Sequence, residues 1–89
     1  MRLDLFLKAS RLCLRRTIAQ KLCDAGLVEV NGKVAKAAHA VEPSDEITIR
    51  RGDHLKRVRV NSLPGSRQPA RQEARNLFEI IDEQNVEPD

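Results

Sequence analysis

Eighty-nine residues make one small domain, with room for a modest core but not for a deep catalytic cleft. With no Trp, no Tyr and only two Phe, that core has to be built from Leu, Ile, Val and Ala. No stretch approaches the length of a membrane span and no signal peptide precedes the charged Met1-Arg2-Leu3-Asp4 start, so the expectation is a cytoplasmic protein with no membrane partner. The net charge of +3 is unevenly spread. Residues 1–60 carry 13 Lys and Arg against 7 Asp and Glu, whereas residues 61–89 carry 3 against 6. A basic body with an acidic tail suits a polyanionic partner. Cys13 and Cys23 are too few for a disulfide framework and lack zinc-site spacing, so both read as small buried hydrophobes.

Met1 to about Leu12 reads as a first helix, with Leu3, Phe6, Leu7, Ser10 and Cys13 on one side. Asp4, Lys8 and Arg11 line another side, which predicts an Asp4–Lys8 pair across one turn, with Asp4 orienting Lys8 or Arg11. Thr17 followed by Gln20 has the form of a capping box and places the start of a second helix at Thr17. Ile18, Ala19, Leu22, Cys23 and Ala25 share one arc of it, opposite Gln20, Lys21 and Asp24. Gly26 stands where a left-handed stop is wanted, and Asn31-Gly32 signals a hairpin after the short strand Leu27–Val30. Arg15 and Arg16 precede the helix start, where positive charge is disfavoured by about a few tenths of a kcal/mol. They read either as a solvated loop or as a phosphate clamp that costs the fold a little stability.

Lys33 to Lys36 leads out of the hairpin, and Ala37 to Ala40 is an extended connection with a lone surface His39. Glu42-Pro43-Ser44-Asp45 is a turn with proline set for its first corner. Glu46 to Arg50 alternates as a half-buried strand, Arg51 to His54 turns the chain, and Lys56 to Val60 forms a final strand. In that strand Val58 and Val60 face in, while Arg57 and Arg59 face out. Two prolines and a glycine make residues 63–69 a linker that closes a domain over 1–62. From Ala70 to about Gln84 the spacing of Ala74, Leu77, Phe78 and Ile81 predicts a third helix, followed by a disordered acidic tail to Asp89. The fold class expected is α+β, with two N-terminal helices packed on a small, mainly antiparallel sheet, plus a C-terminal helix. No phosphate-binding glycine loop, nucleophile elbow or metal-ligand cluster occurs, and neither histidine belongs to a triad. Neither an enzyme nor a cofactor or metal is expected.

Two helices, then Val28-Glu29-Val30-Asn31-Gly32, then Pro43-Ser44-Asp45-Glu46-Ile47 turning into a strand, resemble the S-four-type RNA-binding domain over residues 2 to 60. Arg2-Leu3-Asp4 with Phe6-Leu7-Lys8, and Ser10-Arg11-Leu12 before Arg15-Arg16-Thr17, resemble its short, free-standing bacterial members of the fifteen-kilodalton heat-shock and ribosome quality-control kinds. Arg67-Gln68-Pro69-Ala70 through Glu73-Ala74 to Leu77-Phe78-Glu79 resembles the segment that follows the domain there, and the absence of a long basic extension favours the quality-control kind. The resemblance implies binding to the large ribosomal subunit carrying stalled peptidyl-tRNA, through both rRNA and tRNA. It also implies assistance to C-terminal alanine tailing by a dedicated elongation protein. The alternative is a subunit-recycling factor of the heat-shock kind.

Carried onto this chain, the implied RNA face comprises Arg2, Asp4, Lys8, Arg11, Arg15 and Arg16, with Thr17 and Lys21 on the second helix. Asn31-Gly32-Lys33 and Lys36 lie at its edge. Leu5 and Leu14 stand at positions often basic in these relatives, which thins the positive face, and Ser44 replaces a turn glycine, implying a turn with no need of positive φ. A helix-turn-helix DNA regulator would need base-reading side chains on the second helix, whose outer face offers only Gln20, Lys21 and Asp24. An accessory domain of a pseudouridine synthase or tRNA synthetase would need a catalytic partner domain, and none is present in this chain. Without aromatics for base stacking, structured RNA is favoured over single strands.

Overall fold

In the computed structural model, which describes residues 1–66 and 68–85, helices α1 (Leu3–Ala9) and α2 (Arg16–Asp24) lead into four strands. These are β1 (Val28–Val30), β2 (Lys33–Val34), β3 (Glu46–Arg51) and β4 (His54–Val60), followed by a short helix α3 (Arg71–Asn76) and a fifth strand β5 (Phe78–Asn85). The strands form one sheet in the order β2-β1-β3-β4-β5, every neighbouring pair antiparallel. Leu3, Phe6 and Leu7 of α1 and Ala19 and Cys23 of α2 share one core with Val28, Ile47, Ile49, Val58 and Val60 of the sheet. This is the α+β arrangement expected. No helix among the described residues is long and apolar enough to cross a membrane.

The helix ends follow local chemistry. α1 stops earlier than the periodicity suggests because Arg11 takes a left-handed backbone, φ 64°. Ser10 Oγ then donates to the Leu7 carbonyl, and the Cys13 N–H reaches the same carbonyl. α2 starts at Arg16 rather than Thr17, and no side-chain cap bond forms at its N-terminus. The expected capping box fails because this start puts Thr17 inside the first turn instead of at the N-cap, while the Gln20 amide N–H₂ donates to Asp4. At the other end Gly26 has φ 75°, and the Gly26 and Leu27 N–H groups donate to the Cys23 and Leu22 carbonyls, a Schellman closure.

Asn31 and Gly32 both have positive φ (53° and 84°) and Val30 pairs with Lys33, so the hairpin has the two-residue turn its sequence signals. The Asn31 side chain also ties this turn to β3, donating to Asp45 Oδ1 and accepting from the Glu46 N–H. Ser44 departs from expectation. Its φ is 77°, so the Glu42–Asp45 turn, closed by Asp45 N–H to the Glu42 carbonyl, has the type II form that favours glycine there.

The C-terminal segment differs most. The helical stripe is real only as far as Ala74 and Leu77, both buried. From Phe78 the chain is a strand, not the continuation of a helix to Gln84, and β4 is not the final strand. Tertiary pairing overrides the helical pattern because β4 would otherwise leave an open edge. Phe78 pairs with Val60 and Ile80 with Val58, while Arg59 Nη1 lies 2.9 Å from Glu79 Oε1. Lys56 and His54 both meet Glu83. Asn85, assigned to a disordered tail by its sequence, ends β5 beside His54. The rest of that tail, residues 86–89, lies outside the described residues, as does Arg67 of the expected linker.

Candidate nucleic-acid interface

The site begins with a carboxylate in an unusual place. Asp4, near the start of α1, is completely buried, and a buried charge persists only when paired and hydrogen-bonded. Its Oδ1 accepts from Arg2 Nε at 3.1 Å and the Leu5 N–H at 2.8 Å. Its Oδ2 accepts from Arg16 Nε at 3.1 Å, Gln20 Nε2 at 3.0 Å and Arg2 Nη2 at 3.3 Å. Burial pushes the Asp4 carboxyl up, but the bonds from Gln20, Arg2, Arg16 and the Leu5 N–H outweigh it and hold the group below the usual carboxylate range. Asp4 therefore does not face solvent, and it makes no pair with Lys8. What it orients is Arg2 and Arg16.

Two arginines bound to one carboxylate sit side by side although their charges repel. Their side chains remain 46% and 38% exposed. A guanidinium has five N–H donors; Asp4 takes two from Arg2 and one from Arg16. The rest can meet an anion. Arg16 is thus a structural partner as well as a surface cation, which corrects the expectation that it only burdens the helix start. The N-cap position belongs to Arg15, which is exposed and has no side-chain partner among the described residues.

The remaining expected residues divide. Lys8 and Arg11 line one cleft of about 420 Å³ with Ala9, Leu14, Gln68, Pro69 and Ala70. Thr17 and Lys21 are exposed on α2, Lys21 in the last turn, where a cation suits the helix dipole. Asn31 and Lys33 sit on the hairpin beside a separate groove, and Asn31 is already engaged by Asp45 and Glu46. Lys36 is exposed immediately before Ala37, whose carbonyl accepts from the Asp4 N–H, so the connection Lys36–Ala40 runs beside the start of α1. Gln20 is the site residue that sequence reasoning missed. Its apparent role as half of a capping box concealed it, and no local signal points to a partner 16 residues away.

Charge placement singles out the helical face. Residues 1–24 hold six Lys and Arg but only two acids, Asp4, buried and neutralised, and Asp24 at the end of α2. On the sheet, by contrast, Arg59 faces Glu46 and Glu79, Lys56 faces Glu83, and Arg50 faces Glu29. Three of the sheet's cations, Arg50, Lys56 and Arg59, are thus answered by acids of neighbouring strands, whereas Lys8, Arg11, Arg15 and Lys21 of the helical face have no such ion pair among the described residues. The thiols add no chemistry here. Burial raises both, Cys23 to about 11, so each stays protonated.

Comparison with known proteins identifies the family. Residues 1–47, which include both helices and the hairpin, match the S4 domain. The chain is 44% identical over 86 residues to the RQC P-site tRNA stabilizing factor of Bacillus subtilis, covering 97% of this chain and 98% of that protein. It is 42% identical to the factor of the same name from Halalkalibacterium halodurans, over 97% of this chain and 96% of that one. The solved structure of Vibrio cholerae heat shock protein 15 superimposes with a TM-score of 0.81 at 31% identity, over 91% of this chain and 81% of its own. By its helical face, its hairpin and these matches, the chain belongs to the S4 domain family.

Proposed function

We propose that this protein binds RNA on the ribosome, with the α1–α2 face holding tRNA in the P site against rRNA of a large subunit that carries a stalled peptidyl-tRNA. The observation that carries the reading is the buried Asp4 with Arg2 and Arg16 fixed on it. A free arginine loses rotamer freedom when it grips a phosphate, and here that ordering is completed during folding. The clamp is pre-organised for phosphates held at a fixed spacing, as in structured RNA. Arg15, Lys21, Lys33 and Lys36 extend the positive surface around it. Residues 1–62 carry the cations of the RNA-binding surface, and β5 extends the sheet beside β4. The role is binding rather than catalysis, in the cytoplasm where ribosomes work.

The names of the Bacillus and Halalkalibacterium relatives support P-site tRNA as the ligand. On this reading, stabilised P-site tRNA would let a dedicated elongation protein add C-terminal alanine to the stalled chain. Crosslinking the protein in lysate and sequencing the recovered RNA tests the core of it. Large-subunit rRNA together with tRNA is the expected yield, and scattered mRNA or DNA would reject it. The likeness to heat shock protein 15 favours a second reading, a subunit-recycling factor. Stalled large subunits supplied with the elongation protein separate the two: alanine addition that depends on this factor supports tailing, and subunit release without tailing supports recycling.

A further inference from the structure

We propose that the cleft between the α1–α2 loop and the Gln68–Ala70 segment receives a single unstacked nucleotide of the bound RNA. Its base lies against Leu14, Ala9 and Pro69, and its phosphate meets Lys8 and Arg11. The proposal rests on the RNA-binding reading above and adds a base-contacting site to a face so far described only by phosphate contacts.

Three independent observations converge on the cleft. Leu14 is 81% exposed, the most exposed large hydrophobic side chain among the described residues. It is not on a free loop, because its neighbour Cys13 is fully buried and bonded to the Leu7 carbonyl, and the Arg15 carbonyl accepts from the Ala19 N–H at the start of α2. A fixed, exposed leucine is a surface waiting to be covered. Second, Arg11 holds φ 64°, a conformation that residues with a Cβ disfavour and that glycine would adopt freely. Side chains kept in such backbone states cluster at ligand-binding positions, and this one places a guanidinium on the rim of the cleft. Third, the cleft is open to solvent and, at about 420 Å³, has room for one nucleotide base.

The mixed lining selects the occupant. Lys8 and Arg11 attract an anion, and among the described residues no acid lines the cleft. Leu14 offers an apolar surface on which the face of a planar ring can lie, over a floor formed by the buried Ala9 and Pro69. A nucleotide joins those two properties in one unit, and unpaired bases turned out of structured RNA are the elements that proteins read most readily. Lys8 lies four residues, about 6 Å, along α1 from Asp4, so the cleft continues the surface begun by the Arg2–Arg16 clamp. Gln68, also in the lining, supplies an amide able to hydrogen-bond a base edge.

The test uses the full chain with purified large ribosomal subunits bearing P-site tRNA. A photo-crosslinking amino acid at position 14 should mark one unpaired nucleotide of rRNA or tRNA. Leu14→Ser should melt as the parent protein does, because the side chain is exposed, and should bind roughly fivefold more weakly with an unchanged slope of log affinity against log salt. Arg11→Ala should instead flatten that slope by a little under one unit, as one phosphate contact fewer releases counterions. A crosslink to a ribosomal protein, no crosslink, or Leu14→Ser binding as tightly as the parent overturns the cleft. The RNA-binding reading then still stands if Arg16→Ala weakens binding. Failure of the parent protein to bind these subunits, or an Arg16→Ala variant that binds as well as it, rejects that reading and the cleft with it.

Discussion

Replacing Asp4 by asparagine keeps the shape of the side chain and removes its charge, leaving one oxygen where two accepted. If that oxygen stays with the Leu5 N–H, the new amide N–H₂ points at Arg16 and Gln20, donor against donor. Gln20 can turn its amide to compensate; the arginines cannot. A charge-assisted bond contributes about 1.5–3 kcal/mol when buried, but Arg2 and Arg16 remain partly exposed and water can replace part of what each loses. The expected loss is therefore about 2 kcal/mol in total, or roughly 8–16 °C in melting temperature for a chain of this length. Circular dichroism melts at pH 7 measure it. The pH dependence follows from the lowered Asp4 pKa: its stabilisation is fully present above about pH 4, the ordinary carboxylate value, and disappears as the pH falls through the lower folded value. The gap between parent and variant should thus narrow only below about pH 4. RNA affinity should fall as well, although Asp4 touches no solvent, because Arg2 and Arg16 are set free. Asp4→Asn and Arg16→Ala should also be non-additive in stability, since they break one bond between them. A variant that melts within about a degree of the parent, or strict additivity of the pair, would refute the hub.

Ser44→Gly relieves a residue with φ 77° and should raise stability by roughly 0.5–1 kcal/mol, seen as a higher urea midpoint; a lower midpoint would contradict the turn. Truncation after Asn76 removes buried Leu77 and half-buried Phe78 and opens the β4 edge, so stability should drop by at least about 2 kcal/mol; an unchanged midpoint would show that β5 adds nothing. Cys23, with its thiol raised to about 11, should react with a thiol reagent at pH 8 only as fast as the chain unfolds, and rapid labelling of the native protein would contradict its burial.

What the sequence disclosed was mostly local. Asn31-Gly32 and Gly26 announce their turns because few other residues tolerate those backbone angles. The helical face and its six cations follow from periodicity and counting. The hub was hidden because its parts are 12 and 16 residues apart, and an aspartate one turn before a lysine looks like a surface pair. Thr17 and Gln20 misled for a related reason: a capping box is a pattern of two residues, and the helix starts one residue before Thr17, with the Gln20 amide turned to a buried carboxylate. β5 was hidden by a spacing that fits a helix. What decides its conformation is a partner strand about 20 residues earlier, whose Val58, Val60 and Arg59 meet Ile80, Phe78 and Glu79. Ser44 shows the converse error, since a missing glycine was read as a missing positive φ when the turn kept the angle.

The central claim, that the pre-organised arginines hold phosphate, is tested most directly by Arg16→Ala binding to large subunits bearing P-site tRNA across a salt series. Affinity should fall roughly tenfold, consistent with about 1–2 kcal/mol for one charge-assisted contact, and the slope of log affinity against log salt should flatten by a little under one unit. Arg57→Ala, on β4 opposite Asp82 and away from α1 and α2, should change neither. Arg16→Ala binding with the parent's affinity and the parent's salt slope, in a protein still folded, would contradict the account.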